Sequence, residues 1–280
     1  MPQIDRMRTL LCYAFFWMCV WLTGCAHKPA DTEPDTPVSV RLAQLGRSDV
    51  LLLGEQHDAT SHQRMHLQAI QALAQAGELA AVVLEMSEAG RNTQSLPPNA
   101  TDAAIQQALA WRDAAWPWNA YGPAIQAAVA AGVPVLGGNL PNRDNAAAMY
   151  EPSWDWRIPH QALTAQRNAA RDGHCNLLPS GQIGPMARIQ IARDASMAKT
   201  IASNIQTGKT VLVLTGSAHA HREWGIPLHL PAGLSVKSVR LAADGPRADD
   251  TTGFHAIWHT PPGPTKDHCA ELQQQLRLKP

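Results

Sequence analysis

Short, unbroken apolar runs punctuate this chain, separated by stretches in which apolar residues return every three or four positions. DVLLLG (49–54), LAAVVLEM (79–86), VPVLGG (133–138) and TVLVLTG (210–216) are rich in Val and Leu with almost no polar interruption, the mark of strands buried on both faces. Between the first two, HQRMHLQAIQALAQAGE has helical spacing and stops at Gly77; before the third, GPAIQAAVAAG does the same and stops at Gly132. Strand and helix alternating in this way predict an α/β fold, a parallel sheet flanked by helices. LSVKSVRLA (234–242) and GFHAIWHT (253–260) alternate apolar with polar positions and are expected at the sheet edges. Residues 90–120 and 142–205 carry no strong strand signal. They are expected to be mainly helical insertions forming a smaller helical domain, with MARIQIARDASMAKTIASNI as a helix and EPSWDWRIPH as a loop.

The first 24 residues follow another rule. Arg6 and Arg8 precede LLCYAFFWMCVWL, an apolar run too short for a comfortable membrane span, and Leu22-Thr23-Gly24-Cys25 follows it. This is the pattern of a signal peptide. LTGC resembles the lipobox of bacterial lipoproteins, which implies cleavage before Cys25 and lipidation of its thiol. Ala26, in place of the aspartate that favours inner-membrane retention, points to the outer membrane of a bacterial envelope. Residues 25–40, which include the proline-rich HKPADTEPDTP, are expected to tether lipid to a domain spanning 41–280.

Cysteine usage agrees with export. Cys12 and Cys19 leave with the signal and Cys25 takes lipid, so only Cys175 and Cys269 remain in the domain, a pair expected to form a disulfide in an oxidising compartment. Each follows a histidine, in DGHC and KDHC, which leaves a two-His, two-Cys metal site as the alternative. Lys+Arg and Asp+Glu both number 23, with no block of like charge, and this excludes nucleic acid as the partner class.

Chemistry collects where the apolar runs end. Glu55 and His57 follow the first, Glu85 ends the second, Asn139 follows the third, and His219 and His221 follow the fourth. Open parallel sheets bind ligands outside the carboxyl ends of their strands, so these residues are expected to converge on one pocket. A carboxylate behind so apolar a run as VVL must be paired or desolvated, which singles out Glu85. Blander roles stand beside these: Asp58 and Thr60 suit helix capping, and His62 and His66, one turn apart, read as a solvated helix face. Aromatics make a second group. WRDAAWPWNAYGP brings Trp111, Trp116, Trp118 and Tyr121 together and WDW adds Trp154 and Trp156. Core packing accounts for many tryptophans, yet a flat ligand needs such walls, and a phenolate of Tyr121 or Tyr150, or an imidazole, is a suitable axial ligand for haem iron.

Taken together, GEQH, VVLEM, WNAYGP, GGNLPNR, QIARDASMA and GSAHAHREWGIP resemble the ChaN-like haem-binding lipoproteins, relatives of the Tiki and TraB proteins and the erythromycin esterases. The match runs from about residue 45 to 232. It implies an α/β domain with a small helical domain, haem held in a pocket and, in at least one member, a dimer enclosing two haems face to face with tyrosine on iron. Tyr121 lies in the matched WNAYGP and is the implied ligand, with Tyr150 as second candidate; His219 matches through GSAH, Glu55 and His57 through GE-x-H. Where relatives often carry two arginines, this chain has His221-Arg222, which adds a possible ligand. The leading expectation is a haem-binding surface lipoprotein of an iron acquisition system that meets a membrane through its lipid and a haem receptor or transporter. Trp118 would wall the haem, and Arg143, Arg193 or Arg222 would pair with its propionates. The competing expectation is an esterase or peptidase in which His57 acts as general base beside Glu55 or Glu85. In its metal form, Glu55, His57, Glu85 and His219 hold Zn, Mn or Co.

Overall fold

The computed structural model describes residues 30–32, 35–243, 252–263 and 267–277. The expected signal peptide and the lipidation residue Cys25 lie outside the described residues. Strand β1 (Ala30–Thr32) and helix α1 (Val38–Leu45) precede the first apolar run, which is β2 (Val50–Glu55). Then follow α2 (Thr60–Gln75), β3 (Leu79–Glu88), α3 (Asp102–Ala108), α4 (Trp118–Ala130) and β4 (Val135–Asn139). Helices α5 (Asn145–Tyr150), α6 (His160–Gly173) and α7 (Ser180–Ala202) lead to β5 (Thr210–Gly216) and the single turn α8 (Ser217–Ala220). Strands β6 (Val236–Ala242) and β7 (Ala256–His259) and helix α9 (His268–Arg277) complete the described chain.

All seven strands pair in parallel, in the order β1-β7-β6-β2-β5-β3-β4. Both faces are covered, which explains the unbroken apolar runs. Along β2, Leu51 and Leu53 point into a core shared with Ile70 and Leu73 of α2 and Ile125 and Val129 of α4. Val50 and Leu52 point the other way, onto Met197 and Ile201 of α7 and Ala220 of α8. Fully burying one such side chain stabilises the fold by about 2 kcal/mol, so the two faces together carry most of the folding free energy. A smaller cluster of Ile158, Ala162, Leu163 and Ile191 joins α6 to the first half of α7, with Trp154 and Trp224 against it. This is the small helical part beside the sheet. Among the described residues no helix is long and apolar enough to cross a membrane.

Three local expectations are corrected. Strand β6 is interior, between β2 and β7, and β7 is flanked by β6 and β1. Ser238 and Arg240 of β6 are buried and do not form a wet face, while Lys237 and His259 are half-buried. Residues 30–32 of the expected tether form β1, the edge strand. Within 90–120, only α3 and the start of α4 are helical.

From β2 the chain crosses to β3 by α2 on one face; from β5 it crosses to β6 by α8 on the other. The crevice outside the adjacent ends of β2 and β5 is therefore the topological switch point.

Candidate functional site

Glu85 marks the place where the β3–β5 ladder gives out. Backbone pairing runs as far as Leu84 and Leu214, after which the Glu85 side chain takes over. Its Oε2 accepts from the Gly216 N–H at 2.7 Å and the Thr215 hydroxyl at 2.8 Å. Its Oε1 faces two imidazoles, with His219 Nε2 at 3.6 Å and His57 Nε2 at 4.0 Å. Each ring is fixed from behind by a second carboxylate: His57 Nδ1 lies 2.7 Å from Glu55, and His219 Nδ1 lies 2.6 Å from Asp194. The result is a chain of alternating charge, Glu55–His57–Glu85–His219–Asp194, drawn from β2, β3, α7 and α8.

Glycines permit the close approach. A Cβ on Gly54 would stand 2.8 Å from the Ser217 Cα and 2.9 Å from the Ala220 Cβ, so only glycine lets α8 lie against β2 and carry His219 inward. A Cβ on Gly216 would stand 2.9 Å from His57 Nε2.

Burial by itself would push the Glu85 carboxyl up; the charges of His219 and His57, with the Gly216 and Thr215 donors, outweigh it and hold the group at about 2. For His219, burial pulls downward and the anions Glu85 and Asp194 prevail, raising it to about 9. Burial raises Asp194 above the ordinary carboxylate range against the pull of His219. His57 is also raised: burial opposes protonation, but the Glu55 hydrogen bond and the Glu85 charge favour it. The anions on either side of His219 thus favour its protonated form.

The site extends inward through residues the motifs did not single out. Gln63 donates to Glu55 at 3.0 Å, and Gln166 bridges Asp194 at 3.0 Å and the Trp224 carbonyl at 2.7 Å. His62 and His66, expected on a solvated face, are both fully buried beneath Glu55. His62 receives the Gln56 N–H at 2.9 Å and is held near 4, chiefly by burial. His66 has neither ring nitrogen hydrogen-bonded; Glu55 Oε2 is 3.5 Å away. A cavity of about 400 Å³ opens over this row, lined by His57, Glu85 and His219 and, from the helical side, by Gln166, His174, Arg193 and Trp224.

Comparison with known proteins agrees with this architecture. The family model described as "Haem-binding uptake, Tiki superfamily, ChaN" matches residues 41–230. The chain belongs to the ChaN family. A solved structure titled "Cofacial heme binding to ChaN of Campylobacter jejuni" is similar in fold, with 21% identity, TM-score 0.63, and coverage of 78% of this chain and 89% of that one. The type III effector HopBA1 matches at 15% identity and TM-score 0.48, over 82% of this chain and 96% of that one. RRSP, a MARTX toxin effector domain from Vibrio vulnificus, matches at 14% and 0.45, over 83% of this chain and 40% of that one. No curated protein matches the chain.

Within the ChaN fold, the expected residues separate into distinct places. Glu55, His57, Glu85, His219 and Arg193 meet at the cavity. Among the described residues no group of three or more His, Cys, Asp or Glu is placed to hold a metal ion. Both Nδ1 atoms and Glu85 Oε2 are already committed to hydrogen bonds. Tyr121, the implied iron ligand, is only 3% exposed and donates to Glu55 at 2.6 Å. Burial and the Glu55 charge raise its pKa, so it stays a phenol facing a carboxylate and has no open side for a porphyrin. Trp118 packs edge-on to Trp111 and donates to Asp102 at 3.0 Å, outside the cavity, whereas Trp116 stands 4.8 Å from the His57 ring. His221 stacks on Trp224 at 4.6 Å. Arg143 and Arg222 are exposed, as is Tyr150 at 75%, and Trp156 beyond it is 80% exposed. Cys175 and Cys269 are joined by a disulfide, which removes both from any two-His, two-Cys metal site.

Proposed function

We propose that this ChaN-family protein binds ferric haem as cargo, through Tyr150 rather than Tyr121. The observation that carries the reading is the contrast between its two described tyrosines: one is sealed onto Glu55, while the other ends α5 with 75% of its surface in solvent. A hard, anionic phenolate suits ferric iron, and it must be open to reach it. Trp156 offers an exposed apolar plane in the next short turn, and large side chains left this exposed mark binding surfaces. Arg143 and Arg222 are the exposed guanidinium candidates for propionate pairing. A surface of this kind buries only one side of a porphyrin; two copies meeting face to face would cover both, in line with the cofacial haem named for the Campylobacter jejuni relative.

The cellular role proposed is haem or iron acquisition at a bacterial envelope, with the chain lipidated at Cys25 and anchored in the outer membrane. LTGC behind a short apolar run supports the anchor, and a disulfide suits an oxidising compartment. A receptor or transporter exchanging haem with it completes this reading.

Ferric haem titration of residues 26–280, followed by absorption and by mass in solution, tests the ligand. Wild type and Tyr121→Phe are expected to saturate with a high-spin tyrosinate spectrum, and Tyr150→Phe to lose it. Loss with Tyr121→Phe and retention with Tyr150→Phe would return the ligand to the buried site. No saturable binding in any of the three would remove haem as cargo.

A further inference from the structure

Helix α9 ties the two walls of the cavity together at its rim. One wall is the β2–α2 turn, with Gln56 and His57; the other is the end of α6, with Ala170, Gly173 and His174. Two consecutive residues of α9 grip both. His268 Nε2 lies 2.9 Å from Asp58, directly after His57, while Cys269 is bonded to Cys175, directly after His174. From Asp267 to Gln274 every residue is exposed except the half-buried Leu272. At the far grip, Cys175 and Asn176 hold φ of 56° and 59°, a left-handed conformation that Asn adopts readily and Cys seldom does.

We propose that the Cys175–Cys269 disulfide is a reducible clasp on the cavity, opened by a dithiol reductant of the thioredoxin class. Cys269 is exposed, whereas Cys175 is half-buried, so attack is assigned to the Cys269 sulfur. A reductant thiolate bonds to it, the S–S bond breaks, and Cys175 leaves as a thiolate that takes up a proton. The second reductant thiol then attacks the mixed disulfide and releases Cys269. Two electrons and two protons pass to the cystine, and the reductant becomes a disulfide. With the covalent grip gone, the exposed His268–Asp58 contact holds α9 to one wall alone, and such pairs contribute little. The two walls are then free to separate over the Glu85 row while the sheet below stays intact.

Hydrogen exchange of the full domain, with and without a dithiol, tests the clasp. On reduction, amides of residues 56–62 and 171–177 are expected to exchange about tenfold faster, with those of β2, β3 and β5 unchanged, as in local opening. A Cys175→Ser, Cys269→Ser double variant should show the same pattern without reductant. If only α9 loosens, or the sheet loosens with it, the disulfide is a tail anchor or a general brace and the clasp is overturned. A double variant that exchanges like the oxidised wild type would overturn it too.

Discussion

Glu85 is the residue on which the charges of the site meet. Replacing it with Gln keeps an oxygen to accept from Thr215 and Gly216 but leaves a buried His219 imidazolium with Asp194 alone and turns an amide NH2 toward the two imidazoles. Breaking a buried pair from one side costs about 3–5 kcal/mol, and Glu85→Gln is expected to lower unfolding free energy in urea by that amount. The His219 pKa, followed by NMR, is expected to fall, because Glu85 is the first of the charges that raise it. Much at this scale was legible. Glu55, His57, Glu85 and His219 declare themselves by standing at the ends of apolar runs. Asp194 was not singled out in the sequence, although its signal was there, a lone carboxylate at helical spacing with Ala187, Ile191, Ala198 and Ile201, every one buried. The motif of Tyr121 says where it lies in the chain and nothing about the partner its hydroxyl finds, which is Glu55.

At the scale of elements, α2 shows how a polar residue can belong to an apolar face. His62, His66, Ile70 and Leu73 follow one another at spacings of four and three and share the buried side. Two histidines at the start of that stripe look like a wet face only when they are separated from Ile70 and Leu73. Ile70 is fully buried in the core between α2 and the sheet, and Ile70→Ala is expected to cost about 2–5 kcal/mol in chemical denaturation, with loosened protection along α2. Strand β6 repeats the lesson. Its alternation matched an edge, but alternation reports only that every second side chain differs in kind; Ser238 and Arg240 are polar and buried together.

For the whole molecule, the buried titratable groups set a window of pH in which the fold is most stable. His62 is held near 4 in the folded state, below its ordinary 6.5, so its contribution is present above 6.5 and is lost as pH falls toward 4. Glu85, held at about 2 against an ordinary 4.5, adds a loss as pH falls from 4.5 toward 2. His219 acts in the opposite sense: raised to about 9, its contribution is full below 6.5 and is lost as pH rises toward 9. Stability measured by urea midpoint is therefore expected to peak near pH 6.5 and fall on both sides. His219→Gln should shrink the alkaline decline and, by removing a charge that holds Glu85 low, also weaken the loss between 4.5 and 2, leaving the part of the acid loss that belongs to His62.

The apolar runs by themselves determined the parallel α/β sheet, the flanking helices and the end of the sheet where chemistry gathers, because strands buried on both faces admit no other pattern and parallel strands place their ends together. The motif set determined the ChaN family. What only the tertiary structure decided was partnership: which carboxylate stands behind each histidine, that Tyr121 faces inward while Tyr150 faces water, that polar β6 lies inside the sheet, and that α9 bridges the rim. Each depends on residues far apart in sequence, such as Asp58 and His268 or Glu85 and His219, meeting within a few ångströms. Hydrogen bonds and ion pairs act only over such distances, and a one-dimensional pattern carries no record of them.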